Sequence, residues 1–287
     1  MKQYKYYLDK SSKKFICPKC QKRTLVKYFD IETQGYLSDE YGRCDRETNC
    51  SYHNTPKGII SGSFEVKEVK QSFHDFNLVK NSCSNYQSNN LLKFLVTIFS
   101  IDEVREVASK YLIGTSKFWD GATIFWQIDD EQKVRHGKVM LFSQNTGKRM
   151  KSEEGKAYIS SVRSLLKLKD FNIKQCLFGL HLVDKENKKT IAIVESEKTA
   201  IIMSLFKPEL VWLATGMKSG FNFELLKPII NYNIIAFPDK SEYGDWLNKA
   251  IELNNIGFKI IVNEWLEHTD FEQGTDFADV YINSLIE

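Results

Sequence analysis

Thr190-Ile-Ala-Ile-Val-Glu195-Ser-Glu-Lys198-Thr-Ala-Ile-Ile-Met203 is the stretch that decides the fold of this 287-residue sequence. Residues 190–194 are mainly β-branched and apolar, which predicts a buried strand, and a helix-forming segment follows Glu195. In an open α/β sheet, the functional crevice lies at the C-terminal ends of the strands. Glu195 is therefore predicted to form one corner of an acidic, metal-dependent site.

Strand-like and helix-like segments alternate through the rest of the C-terminal third, which predicts a parallel sheet with flanking helices. Right-handed crossovers place the C-terminal ends of all such strands on one edge of the sheet. The strands are predicted at 190–194, 210–214, 232–237 and 258–262, and the helices at 197–206, 223–229, 242–254 and 276–285.

Carboxylates recur where these strands end. Glu195 follows the first strand and Asp239 the third, while Asp276 and Asp279 share a face at the start of the last helix. Such oxygen ligands suit Mg²⁺ or Mn²⁺, and Lys198, one turn beyond Glu195, is placed to contact a phosphate. The alternatives are ordinary helix N-terminal charges for the two aspartates and a solvated side chain for Lys198.

Four of the six cysteines fall within 34 consecutive positions near the N-terminus. Cys17-Pro-Lys-Cys20 is a metal knuckle, and Cys44 with Cys50 forms a second pair, so the spacing predicts a zinc ribbon with structural Zn²⁺. The second pair has an unusually long spacing. His53 therefore remains an alternative to Cys50 as the fourth ligand.

The segment from 133 to 169 is strongly basic, with ten Lys or Arg and two Glu in a chain whose net charge is +3. Interleaved aromatic residues favour a surface that tracks a nucleic-acid backbone, although a solvated lysine-rich face is an equal alternative. The candidate nucleic-acid-binding residues are Arg135, Lys138, Lys148, Arg149 and Lys151.

The N-terminus lacks an apolar signal segment, and no apolar run is long enough to span a membrane, so a cytoplasmic protein is expected. In that reducing compartment, clustered cysteines indicate metal rather than disulfides. The sequence has no Gly-x4-Gly-Lys-[Ser/Thr] motif, so any unwinding of duplex DNA is expected from a separate helicase.

Residues 190–287 resemble a toprim domain, the metal-binding module of bacterial primases, topoisomerases and related nucleases. The family has a Glu after the first strand and an Asp-x-Asp after the third. Glu195 and Asp239 match, but Ser241 stands where the family has its second Asp, and Glu242 is an imperfect substitute. Asp276-Phe-Ala-Asp279 resembles the further acidic motif of primase-type members.

The resemblance extends upstream through Gly137-Lys-Val-Met140, Thr146-Gly-Lys-Arg149 and the cysteine motifs to primase-like toprim proteins of bacterial mobile elements and phages. It implies a multi-domain α/β protein. Its parts would be a zinc-ribbon module at 1–62, a linker at 63–89, a helical spacer plus basic α+β region at 90–185, and a toprim-like domain at 186–287.

The function that this resemblance implies is metal-dependent primer synthesis on single-stranded DNA from nucleoside triphosphates, with Glu195, Asp239 and Lys198 as catalytic residues. Two alternatives stay open. Ser241 favours a catalytically degenerate DNA-binding factor for replication or mobilisation, and the same metal site is also compatible with a toprim nuclease.

Overall fold

A computed structural model describes residues 5–11, 13–46, 50–56, 70–184, 186 and 190–286. The chain divides into two compact units, residues 1–68 and 69–287. In the described parts, no helix is both long and apolar enough to cross a membrane.

The first unit is an antiparallel sheet built around one long strand, β3, which pairs with four of the other strands. Among the described residues, the buried members of its hydrophobic cluster are Leu25 and three cysteines. So small a core is typical of modules that a metal ion holds together. The strands are β1 (Tyr6–Leu8), β2 (Phe15–Ile16), β3 (Arg23–Asp30), β4 (Gly35–Tyr36), β5 (Gly42–Cys44) and β6 (His53–Asn54).

The second unit opens with three helices, α1 (Phe76–Ser82), α2 (Asn90–Leu95) and α3 (Ile101–Lys110). A side chain caps the N-terminus of each. Asp75 and Asn89 accept from backbone N–H groups of α1 and α2, and Ser100 forms the capping box of α3 with its third residue. Of the predicted linker, 63–69 lies outside the described residues, and 70–89 contains α1.

A four-stranded antiparallel sheet follows, in the order β10-β9-β8-β7. Every residue of β8 is buried, because α1 contributes to the core on one side of the strand and α2 and α3 to the core on the other. The elements are β7 (Gly114–Ser116), β8 (Ala122–Ile128), β9 (Val134–Met140), β10 (Ile159–Ser161) and a short helix, α4 (Val162–Leu165).

The C-terminal region is a parallel sheet in the order β12-β11-β13-β14, which confirms the predicted α/β class. Helices α5 and α8 pack on one face of this sheet, and α6 and α7 on the other. The strands are β11 (Ile191–Val194), β12 (Val211–Ala214), β13 (Asn233–Ala236) and β14 (Lys259–Val262), and the helices are α5 (Glu197–Phe206), α6 (Phe223–Leu226), α7 (Tyr243–Asn254) and α8 (Phe277–Ile286).

One hydrophobic cluster spans the antiparallel and parallel sheets. Phe178 and Ala214 exchange two backbone hydrogen bonds, at 2.9 and 3.1 Å, which adds a bridge to the outer edge of β12. The Tyr111 hydroxyl donates to the carbonyl of Trp212 in the same strand, at 2.9 Å. The two sheets are therefore parts of one packed body within the second unit.

Candidate functional site

The four predicted zinc ligands Cys17, Cys20, Cys44 and Cys50 converge in the first unit. Their sulfur atoms all lie within 4.8 Å of one another, with Cys17–Cys50 at 3.7 Å and Cys20–Cys44 at 3.9 Å. Tetrahedral coordination at a zinc–sulfur distance of about 2.3 Å requires sulfur atoms about 3.8 Å apart. The cluster therefore fits a structural zinc ion.

The thiol groups of the cluster differ in their protonation chemistry. A backbone hydrogen bond from Lys22 lowers the pKa of Cys20 to about 6, whereas burial raises the pKa of Cys50 to about 11. His53 is outside the four-ligand group, because its Nε2 lies 2.9 Å from the Tyr28 hydroxyl and its ring stacks on that tyrosine. Between the two alternatives for the fourth ligand, the structure brings Cys50 to the cluster.

In the second unit, Glu195 and Asp239 lie at the C-terminal ends of the neighbouring strands β11 and β13. The N–H of Gly216 donates to the Glu195 carbonyl at 2.8 Å, which extends the parallel ladder one residue beyond β11. The N–H of Phe237 likewise donates to Ile193, also at 2.8 Å, which fixes the path that leads to Asp239. Sheet hydrogen bonds thus bring both carboxylates to one edge.

Asp276 reaches the same edge because its loop is tied to the residue after Asp239. The N–H of Lys240 donates to the Thr275 carbonyl at 2.9 Å, and the Lys240 ammonium donates to two other backbone carbonyls. The Asp276 carboxylate accepts from the Thr199 hydroxyl at 2.6 Å and from the N–H of Asp279 at 2.8 Å. Asp276 is therefore both buried and firmly oriented.

Five carboxylates interact at this edge, and we call the group of Glu195, Asp239, Glu242, Asp276 and Asp279 the acidic edge. Burial, reinforced by the four acidic neighbours, raises the pKa of Asp239 to about 8. Burial, reinforced by Glu242, also raises the pKa of Glu195. Among the described residues, none donates a hydrogen bond to the side chain of Glu195 or Asp239. Carboxylate oxygens gathered at one edge are the donor set that fits Mg²⁺ or Mn²⁺.

Ser241 and Glu242 follow Asp239 in an irregular turn. Ser241 has φ = +77°, its side chain is exposed, and its N–H donates to the Glu267 carboxylate at 2.9 Å. The N–H of Glu242 donates to the Asp239 carbonyl at 3.0 Å, and one Glu242 oxygen accepts from the Lys218 ammonium at 2.5 Å.

The predicted basic residues fall into two groups. Lys138 and Arg135 form ion pairs with almost fully buried acids: Lys138 donates to both Glu197 oxygens at 3.1 and 3.0 Å and to the Gly216 carbonyl at 2.8 Å, and Arg135 donates to Asp129 at 2.5 Å. Their main contacts are thus internal, so a role for them in binding nucleic acid stays a prediction.

The other three predicted residues, Lys148, Arg149 and Lys151, are exposed. Arg149 acts on the acidic edge, because its charge opposes the rise in the pKa of Glu195. The predicted catalytic Lys198 donates to Asp279 at 3.4 Å. In the structure this lysine is therefore engaged with an acid at the start of α8.

Sequence analysis missed Glu197, Thr199, Gly216 and Lys218. The Cβ of any other residue at position 216 would come within 2.9 Å of a Glu197 oxygen, and Gly216 has φ = +74°. The sequence signal was weak, because an acid in the first turn of a helix is ordinarily explained by the helix dipole.

The second unit thus carries an acidic edge on a parallel sheet, and the first unit a four-cysteine ribbon. The chain belongs to the family described as Domain of unknown function (DUF6371), whose model matches residues 89–240. A zinc beta-ribbon finger model matches residues 4–63, in agreement with the predicted N-terminal ribbon. No curated protein sequence matches the chain.

Solved structures similar to the chain include the primase fragment of the bacteriophage T7 primase-helicase, at 15% identity over 95% of each chain and a TM-score of 0.44. The Aquifex aeolicus primase with its zinc-binding and RNA polymerase domains matches at 12% identity over 98% of this chain and 80% of that one, with a TM-score of 0.40. The E. coli primase catalytic core matches at 12% identity over 72% and 74%, with a TM-score of 0.47.

Proposed function

We propose that this chain binds single-stranded DNA and joins nucleoside triphosphates into primers at the acidic edge, with Mg²⁺ or Mn²⁺ as cofactor. The observation that carries the proposal is the position of Glu195 and Asp239 at adjacent strand ends, where burial, reinforced by neighbouring acids, raises the pKa of Asp239 to about 8. Such repulsion among buried acids is relieved when a divalent cation binds between them.

Glu195 and Asp239 would hold the metal ion, with Asp276 and Asp279 completing the negative field around it. A bound divalent ion supplies Lewis-acid chemistry, since it activates an attacking hydroxyl and stabilises charge on a transferring phosphoryl group. The exposed Lys148, Arg149 and Lys151 would hold template and triphosphate groups. Lys198, now on Asp279, is close enough to the acidic edge to exchange that partner for a phosphate.

The zinc ribbon would contact the template strand, as an accessory to synthesis. Because the sequence lacks a phosphate-binding loop of the helicase type, strand separation would come from a separate helicase. The biological setting proposed is replication of a mobile element or phage, which follows from the resemblance in the motifs.

The test is primer synthesis with labelled nucleotides on single-stranded DNA. Glu195→Gln and Asp239→Asn remove a ligand charge while keeping the side-chain shape, so each is expected to abolish the product. Glu252→Gln is the matched control, because Glu252 is an exposed acid on α7 and should leave synthesis unchanged. Full synthesis by either site variant would contradict the assignment.

A second candidate function is DNA binding without catalysis in replication or mobilisation. Ser241 favours it, since an exposed serine occupies the position of the second family aspartate. Incubation with Mg²⁺ or Mn²⁺ and labelled DNA, with and without nucleoside triphosphates, separates the outcomes. Longer products indicate synthesis, shorter ones the nuclease alternative, and unchanged DNA in a salt-sensitive complex indicates binding alone.

A further inference from the structure

We propose that Glu242 is the metal ligand that replaces the aspartate absent at position 241, and that Lys218 is a built-in counter-cation that the incoming metal ion displaces from Glu242. The inference rests on the proposed metal binding at Glu195 and Asp239. It adds one ligand and one competitor to that site.

The backbone around position 241 explains why Glu242, rather than residue 241, is placed to be the metal ligand. Ser241 is in the left-handed region, and its N–H is bound to Glu267, so its side chain points into solvent. The chain then folds back, because the N–H of Glu242 donates to the Asp239 carbonyl at 3.0 Å. A glutamate side chain, one methylene longer than aspartate, starts from this turn immediately beside Asp239.

The carboxylate of Glu242 is half satisfied. Its side chain is only 17% exposed, and its Oε2 is buried with no hydrogen-bond partner among the described residues. An unpaired buried carboxylate oxygen is unfavourable, and a bound cation is one arrangement that satisfies such an atom. Glu242 is also the largest charged contributor to the raised pKa of Glu195, and it contributes to that of Asp239. Its charge therefore acts on both proposed metal ligands.

The Lys218 ammonium is suited to dissociate from Glu242 when a metal ion binds. Its ammonium binds the other Glu242 oxygen at 2.5 Å, but its side chain is 65% exposed, so it reaches the acidic edge from solvent. Among the described residues Glu242 is its only ion-pair partner. A flexible, exposed lysine loses little when it returns to water, whereas a divalent ion gains the whole acidic edge. Metal binding is thus an exchange of one cation for another.

The experiment is a Mn²⁺ titration of the zinc-loaded full chain, followed by the electron paramagnetic resonance of free Mn²⁺. Removal of a ligand charge in Glu242→Gln should weaken Mn²⁺ binding by about tenfold or more. Lys218→Met should have the opposite effect and tighten binding by about threefold, because the competing positive charge is gone. A Glu242→Gln variant with wild-type affinity, or a Lys218→Met variant that binds no tighter, would overturn the inference.

Helix α7 offers a matched control pair, Lys249 and Glu252, which form an exposed ion pair outside the acidic edge. Lys249→Met and Glu252→Gln should both bind Mn²⁺ within about twofold of wild type, as expected for surface charges screened by salt. The titration also distinguishes the two levels of the proposal. If wild type binds no Mn²⁺, or Glu195→Gln and Asp239→Asn bind it normally, the proposed function fails. If those two variants lose Mn²⁺ and Glu242→Gln does not, only the inference fails.

Discussion

The cysteine cluster and the acidic edge are two candidate metal sites built on opposite principles. In the ribbon, three of the four sulfur ligands belong to the hydrophobic cluster, and among the described residues Leu25 is the other buried member of that cluster. At the acidic edge the carboxylates lie outside large apolar clusters that involve both faces of the sheet. The metal ion is thus needed to make the ribbon, whereas the fold of the second unit is needed to make the acidic edge.

The difference is also electrostatic. The ribbon cysteines lose their protons as they bind the metal, so four thiolate charges do not have to be held together in its absence. The acidic edge brings five carboxyl groups together without a metal, and burial with their mutual repulsion raises the pKa of Asp239 to about 8. The structural metal site therefore stabilises its fold, whereas the acidic edge lowers the stability of the fold that carries it.

The largest effect is expected from Cys44→Ser, which removes one of the four zinc ligands. Structural zinc contributes about 10–16 kcal/mol to small zinc modules, so loss of one ligand should unfold the ribbon and remove its zinc. Metal analysis should find about one zinc per wild-type chain and none in the variant. Cys83→Ser, which changes a cysteine of the second unit outside the cluster, should keep the metal. A folded, zinc-free ribbon in the variant would show that the metal ion is not needed to make the ribbon.

The next largest effect is expected from Lys138→Met, which tests whether the second unit depends on its own internal contacts. Glu197 is only 2% exposed and would lose its cation, which should cost about 3 kcal/mol of unfolding free energy in urea denaturation. Lys156→Met is the control, because the Lys156–Glu154 pair is on the surface and should contribute less than about 0.5 kcal/mol. Equal losses of unfolding free energy in the two variants would show that the buried ion pair contributes no more to stability than the exposed one.

A smaller and opposite effect is expected from Asp239→Asn in buffer without Mg²⁺ or Mn²⁺. Removal of the repelled carboxylate should raise the unfolding free energy by about 1 kcal/mol, or the melting temperature by about 2–4 °C. The native pKa of Asp239 is raised to about 8, so the wild type is most stable below about pH 4 with respect to this group and loses that stability as pH rises through 8. The advantage of the variant should therefore grow up to about pH 8 and then level off. A variant less stable than wild type would contradict the stored repulsion.

The smallest effect concerns binding rather than stability. The double substitution of Lys148 and Arg149 by Ala removes two exposed charges, so the salt dependence of single-stranded DNA binding should fall by about 1.4 in the slope of log K against log salt. Fluorescence anisotropy at several salt concentrations measures this slope. Lys249→Ala, on α7, should leave it unchanged. An unaltered slope in the double variant would remove both residues from the DNA-binding surface.

The sequence predicted the parallel sheet well, because its strands and helices alternate with little irregular chain between them. Each predicted end lies within one residue of the observed one, except that the helix predicted at 223–229 is an α-helix to Leu226 and a 3₁₀ helix to Ile229. Glu195 and Asp239 could be placed for the same reason, since strand ends in a parallel sheet share an edge.

What the sequence did not predict are partners separated by long stretches of chain. Lys138 and Glu197 lie 59 positions apart, and no local pattern signals that one will neutralise the other. Helix α1 was missed because the surrounding sequence is polar. The Asp75 cap alone does not predict the helix, because so short a helix is stable only when it packs against the rest of the fold. Long-range packing decides both cases.

The bridge from Phe178 to Ala214 has a consequence for how the chain can be divided into fragments. An unpaired strand edge promotes aggregation, and this bridge helps to cover the outer edge of β12 from a segment that precedes the parallel sheet. A gene fragment that begins at residue 186 would encode an acidic sheet with that edge bare and the Trp212 carbonyl without its tyrosine donor. The compact unit 69–287, rather than the parallel sheet by itself, is therefore expected to be the part that folds when it is expressed separately.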